Sequence, residues 1–285
     1  MIKRILVVFF LSRLVFLLFA SLASDVIPLQ HGYLGNQHYP NEPYLAWVWA
    51  NFDGRHFADI VVSGYRNFNF AFFPLYPLTI WFIDYHIIID PPYVGIFVSL
   101  IFFLLSLIII YKISQLDYKN KNIPWLTILA VSLFPLSFFY NAMYSDSLFM
   151  FLSISSFYFA RTGNWLVAGF FGGLTCLTRL AGIALLPALL AEWILQNKSE
   201  FKNWRNAVIL FWRKCFSVLC LTLLGFLSYL VYLQIKFGNF LLFQESMVAW
   251  RQSEFVFPPQ VVFRYLKIFS QVDMGQLVYW NAFLE

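Results

Sequence analysis

Charge is scarce in this sequence. Asp, Glu, Lys and Arg make up 12% of its 285 residues, against about 25% in a soluble globular domain. A water-facing surface for a chain of this length needs more than that, so a soluble globular protein is excluded. Cysteine is nearly absent as well. Cys176, Cys215 and Cys220 all lie in or beside apolar runs, which leaves no disulfide framework and no metal-ligand spacing. There are no internal repeats and no low-complexity linker. What fills the sequence is apolar: 61% hydrophobic and 21% aromatic residues, gathered in long uncharged runs of the kind a bilayer requires. The net charge of +5 does not indicate nucleic acid, because the basic residues are spread between the apolar runs rather than gathered in one patch.

A membrane span needs about 20 apolar residues. Ile5–Ala23, Val94–Tyr111, Ile123–Tyr144 and Cys215–Ile235 qualify, and Ser147–Ala160 is shorter but uncharged. Ile5–Ala23 follows Met1-Ile-Lys-Arg and exceeds a signal-peptide core, so it is read as a retained first span. Trp165–Trp193 is too long for one helix and is interrupted by Arg179, which predicts two short helices meeting there. Phe70–Ile89 is ambiguous, since it is apolar but holds Pro74, Pro77, Asp84 and His86. Charge bias decides. Lys112, Lys119 and Lys121 form one basic loop, and Lys198, Lys202, Arg205, Arg213 and Lys214 another. Both face the cytoplasm only if Phe70–Ile89 does not cross. The expectation is an all-α polytopic membrane protein with its N-terminus inside and a single domain over 1–285. A large first outside loop at about 24–93 carries juxtamembrane helices, hairpin tips lie outside near Asp146 and Arg179, and a second outside loop covers about 236–285. Gln276–Glu285 reads as the start of a further apolar segment, so C-terminal spans are expected to be missing.

Several segments carry polar residues where they are costly. In Phe52-Asp53-Gly-Arg55-His56-Phe57, followed by Gly64-Tyr65, Asp53 and His56 share one face of an amphipathic helix with Phe57 and Ile60, and Gly64 suits its stop. Asp53 either caps that helix or sits as a reactive carboxylate just above the bilayer. Asp59 lies well round the helix and is read as solvated. Phe70–Leu78, with its two prolines, is either an interfacial wedge or the wall of a lipid groove. Asp146, in Tyr144-Ser-Asp-Ser-Leu, is either a helix cap or an unpaired acid beside hydrocarbon. Arg179, between two apolar segments, must snorkel, pair with an acid such as Asp146, or hold a phosphate in its guanidinium fork. Arg13 in the first span raises the same question. Phe237–Arg251 reads as a second outside amphipathic helix whose Gln244, Trp250 and Arg251 either anchor it or line a sugar site.

In order, these pieces resemble the PIG-V family of mannosyltransferases, which act in GPI-anchor-like biosynthesis and belong to the GT-C class. The matching segments are Phe-Asp53-Gly-Arg-His-Phe with Gly64-Tyr65, then Phe72-Phe-Pro-Leu-Tyr-Pro77, Tyr144-Ser-Asp146-Ser-Leu-Phe, Leu177-Thr-Arg179-Leu-Ala-Gly, and Phe237-Gly with Gln244 and Trp250-Arg251. Phe52 stands where relatives usually have Trp, Asp146 where many have Glu, and relatives continue through further spans. The resemblance implies a GT-C-like bundle of about seven transmembrane helices. It also implies a polyprenyl-phosphate sugar donor, a glycan or glycolipid acceptor, and Asp53 as catalytic base in an outside-facing site.

One carboxylate suffices for such a transfer, because the departing phosphate needs no protonation, unlike the two-carboxylate chemistry of glycoside hydrolysis. Arg179 and Arg251 are the expected phosphate cations, with Arg55 and His56 as further substrate contacts beside Asp146, Gln244 and Trp250. No Asp-x-Asp occurs, so a nucleotide-and-metal mechanism is not expected, nor is a cofactor. The alternatives are a transporter or flippase for a lipid-linked sugar, which would show paired halves with broken helices, and an inactive or split family member completed by a separate C-terminal segment or subunit. A bacterial plasma membrane is expected rather than the endoplasmic reticulum.

Overall fold

The computed structural model describes residues 1–26, 43–200, 204–250 and 257–284. Among these residues there are helices and turns and no strand. Three helices are long and apolar enough to cross a membrane: α1 (Ile2–Val26), α5 (Pro91–Asp117) and α11 (Phe216–Phe237). Length, composition and the absence of strands together describe an all-α membrane protein. The remaining helices are α2 (Tyr44–Trp47), α3 (Asp53–Ser63), α4 (Leu75–Ile87), α6 (Ile123–Leu133), α7 (Asp146–Arg161), α8 (Trp165–Cys176), α9 (Leu185–Gln196), α10 (Trp204–Leu210), α12 (Leu242–Met247), α13 (Pro258–Gln271) and α14 (Leu277–Leu284).

The expected single span Ile123–Tyr144 is not one helix. α6 stops at Leu133, and a 3-10 turn, Pro135–Tyr140, follows. Pro135 is the cause: it has no N–H to donate and forces Phe134 out of the helical region, to φ −58° and ψ 134°. The break near Arg179 is present as expected. α8 ends at Cys176, Arg179 is extended, and a 3-10 turn, Leu180–Ala184, leads into α9.

α7 packs against α5 and α8, and α8 against α11. The α8–α11 contact rests on glycines. A Cβ on Gly225 would lie 1.9 Å from the Gly173 carbonyl oxygen, and one on Gly172 would lie 2.4 Å from Thr222 Oγ1. The backbones are therefore in direct contact, as small residues permit in membrane helices.

α3 and α4 are locked onto this bundle. Phe57, Ala58, Tyr76, Ile80, Val94, Val98, Met143, Leu148 and Leu152 form one buried cluster across α3, α4, α5 and α7. The Tyr76 hydroxyl donates to the Gly95 carbonyl (2.9 Å) and lies 2.8 Å from Ser99 Oγ.

Arg13, on α1, is buried, and no carboxylate among the described residues pairs with it. Its guanidinium donates to the Ser137 and Ser132 carbonyls (2.9 and 3.0 Å), to Asn141 Oδ1 (2.9 Å) and to Ser137 Oγ (3.0 Å), and it stacks 4.4 Å from the centre of the Phe103 ring. These groups are what the proline break after α6 turns inward. Arg13 thus holds the segment leading to Asp146, and a charge that is costly in a span is satisfied by backbone and hydroxyl oxygens.

Candidate functional site

Three chain breaks converge at one end of the bundle. The Met143 N–H donates to the Trp49 carbonyl (2.7 Å), tying the entry to α7 onto the entry to α3. Gly54 lies against this link, where a Cβ would come within contact distance of the Met143 Cβ and carbonyl oxygen at 3.4 Å. The Leu75 N–H donates to the Leu177 carbonyl (2.9 Å), tying the start of α4 to the break between α8 and α9. These two links bring Asp53, Asp146 and Arg179 together from positions far apart in sequence.

Asp53 is the first residue of α3 and does not cap it. The residue before it, Phe52, has φ 52° and ψ −115°, and no side chain bonds the helix start. A bulky residue at positive φ costs about 1–3 kcal/mol and persists only where its surroundings impose it. Here the buried Asn51 supports it, its Oδ1 accepting the Phe52 N–H at 3.0 Å. The turn leaves the Asp53 carboxylate half-buried, and among the described residues nothing hydrogen-bonds to it. Burial pushes its pKa above the ordinary carboxylate value; Arg179 opposes this, Asp146 adds to it and His56 opposes it. Asp53 is thus a carboxylate with free lone pairs and strengthened basicity.

Arg179 and Asp146 form a bidentate pair. Nη1 donates to Oδ1 at 2.9 Å and Nη2 to Oδ2 at 2.7 Å, while Nε donates to Ser145 Oγ at 2.9 Å. The side chains are 35% and 26% exposed, so the pair is neither fully buried nor freely solvated. Asp146 begins α7, where the helix dipole favours a carboxylate. The ion pair with Asp146, one of the roles open to Arg179 in the sequence, is present.

His56 lies one turn from Asp53. Its Nδ1 is 2.7 Å from Asn69 Oδ1, and its ring stacks on Phe72 with centroids 4.8 Å apart. With Oδ1 accepting, Nδ1 carries the proton. Arg55 points to Asp59 along the helix, 3.4 Å away, and both are partly exposed. Gln244 is exposed on α12, which packs its buried Phe243 and Ser246 towards the 3-10 turn Asn67–Ala71; no hydrogen bond joins Gln244 to the cluster. Trp250 ends the 3-10 turn after α12, and its side chain is outside the described set. Arg251 lies outside the described residues altogether. Asn51, Ser145 and Asn69 were not singled out from sequence. Ser145 stands within the Tyr144–Phe149 segment, but Asn69 has no local signal, because its partner His56 is 13 residues away.

Two grooves adjoin these residues. One, of about 580 Å³, runs along α3, α4 and α11 and is lined by Ile60, Tyr65, Pro77, Trp81, Leu177 and Tyr229 among others. Its wall is apolar except for tyrosine hydroxyls and Ser228, and the Tyr229 hydroxyl is spent on the Phe70 carbonyl at 2.7 Å. The other, of about 590 Å³, lies between α6 and the turn after it and reaches Asp146, Tyr140 and Ser137. No group of three or more metal-ligating side chains occurs among the described residues. No protein-family model matches the chain, and no curated protein and no solved structure matches it.

Proposed function

We propose that the chain is a membrane glycosyltransferase of GT-C-like architecture that transfers a hexose, mannose by the family resemblance, from a polyprenyl-phosphate donor to an acceptor hydroxyl, with inversion. The observation that carries this is Asp53: a half-buried, unbonded carboxylate of raised basicity, held by a strained turn on a short helix beside the bundle. Asp53 removes the acceptor hydroxyl proton while the hydroxyl oxygen bonds to the anomeric carbon. The bond from that carbon to the phosphate oxygen breaks, and its electron pair leaves with the polyprenyl phosphate. The apolar groove along α3, α4 and α11 suits the first isoprene units, and it meets the site at Leu177, two residues from Arg179. Asp146 fills the fork of Arg179, so Arg179 is the residue that sets the charge around Asp53, and the donor phosphate falls to the other cation that the resemblance offers, Arg251, which lies outside the described residues.

The test is transfer of labelled mannose from polyprenyl phosphate by the reconstituted chain. Loss of a general base typically costs about 10²–10⁴-fold in rate, and Asp53→Asn is expected to lose that much. Burial raises the folded-state pKa of Asp53. The ionised carboxylate therefore opposes folding at neutral pH, and the neutral amide should melt no lower than the parent. A folded Asp53→Asn variant with parental turnover would refute the base assignment. Lipid movement without turnover in the parent would replace the enzyme with a transporter.

A further inference from the structure

α13 is 14 residues long, or about 21 Å at 1.5 Å per residue, too short to cross a hydrocarbon core of about 30 Å. Its two sides differ sharply. Val261, Val262, Tyr265, Ile268 and Phe269 fall on one side at helical spacing, and Gln260, Arg264, Lys267 and Gln271 on the other. Pro258-Pro259 set its start. The only described element it packs against substantially is α14, through contacts such as Phe269 with Tyr279, whose rings are 5.3 Å apart. Much of the apolar side is open: Val261 is 40% exposed, Val262 59% and Leu266, at its edge, 61%, while the exposed Phe263 stands round the helix beside the basic residues. No acid occurs from Phe257 to Val272.

We propose that α13 is an interfacial helix that lies along a membrane surface and selects anionic phospholipid. The apolar side enters the acyl boundary, and Phe263, on the basic flank, lies at headgroup depth. Arg264 and Lys267 then reach the phosphates. Their charge is uncompensated within the helix, which favours a phosphate-rich surface over an acid-containing protein groove that would also have to cover Phe263. Each basic residue near an anionic surface shifts the equilibrium towards it by about fivefold. This inference does not depend on the transfer reaction.

The test uses the full chain reconstituted in vesicles of phosphatidylcholine, with and without phosphatidylglycerol. Bimane is attached at Val262→Cys, Leu266→Cys, Gln260→Cys or Gln271→Cys, and the unsubstituted chain gives the background from the native cysteines. Nitroxide-bearing lipid should quench positions 262 and 266, and aqueous iodide should quench 260 and 271. Phosphatidylglycerol should increase the lipid quenching, and Arg264→Gln with Lys267→Gln should abolish that increase. Equal iodide quenching at all four positions would overturn the proposal by placing α13 in solvent. Resistance of 262 and 266 to both quenchers would overturn it in favour of a protein cover. Lipid quenching indifferent to phosphatidylglycerol would overturn the anionic selectivity.

Discussion

At the scale of single residues, the site is governed by how three charges share a small space. Burial raises the basicity of Asp53, Arg179 lowers it and Asp146 raises it. If Asp53 is the base, turnover appears as it ionises, so the acid limb of the pH–rate profile should lie above the usual carboxylate range. Removing the cation with Arg179→Gln should move that limb to higher pH, and removing the neighbouring anion with Asp146→Asn should move it to lower pH. Opposite displacements are not expected of two generic destabilising changes, so rate profiles of both variants check the arrangement directly. The Arg179–Asp146 pair also contributes to stability. An exposed ion pair is worth about 0–1 kcal/mol, and breaking a fully buried one costs about 3–5 kcal/mol; at roughly one-third exposure this pair falls between, at about 1–2 kcal/mol. Arg179→Ala should therefore lower the melting temperature, and adding Asp146→Asn should recover part of the loss by neutralising the orphaned carboxylate. A double variant that melts lower than Arg179→Ala would show that the carboxylate is held by something other than the arginine.

At the scale of elements, the sequence was most legible where a breaker residue or a charge interrupts an apolar run. Gly64, at φ 75°, ends α3 where expected, and Arg179 marks the gap between α8 and α9. The same rule, applied to Pro135, would have divided Ile123–Tyr144, and that break matters because it presents the carbonyls that satisfy Arg13. Other features were not legible because their cause lies across the fold. Asp53 looks like a cap in sequence, and only the turn supported by Asn51 and the docking of Met143 on Trp49 free it from that role. The tips carrying Asp146 and Arg179 could be placed at two hairpin ends, but their pairing depends on how α7 and α8 pack. The glycines of α8 show an intermediate case: Gly169 and Gly173 stand four apart in sequence, yet nothing local identifies Gly225 as their counterpart. With a Gly225 Cβ only 1.9 Å from a backbone oxygen, no rotamer change gives relief, and α8 must move away from α11. Overpacking typically costs about 1–3 kcal/mol, and Gly225→Ala should meet or exceed that in chemical unfolding. The comparison is Gly163→Ala, which meets no neighbour but has φ 81° and should lose only the smaller penalty for positive φ. Equal losses from the two would place the glycine contact outside the forces that hold α8 to α11.

At the scale of the whole molecule, polarity is divided between the two ends of the bundle. Asp53, Asp146 and Arg179 gather at the end where α5 begins and α7 begins. At the other end Arg161 joins Asp117 and Glu192, the latter through Nε at 3.2 Å, and Gln196 donates to Glu192 at 2.7 Å. This second cluster ties together the ends of α5, α7 and α9, and the basic residues Lys119, Lys121 and Lys198 follow those ends directly in sequence. Basic residues favour the cytoplasmic side, so the expected orientation puts the Arg161 cluster inside and Asp53 outside. That orientation requires the chain to stay on one side between the end of α3 and the start of α5. Length does not decide this, because α4 has 13 residues and α8, which joins the two ends, has 12. Ile88, at φ 56°, then turns the chain back into α5. Cysteines introduced at Ser63, just before this segment, and at Ile88, just after it, are both exposed positions. In intact cells or sealed vesicles, a membrane-impermeant maleimide should label both from the same side, opposite to a cysteine at Lys121. Labelling of Ser63→Cys and Ile88→Cys from opposite sides would make α4 a crossing segment. It would also reverse every later span and move the Asp146–Arg179 pair out of the compartment in which a lipid-linked donor is expected.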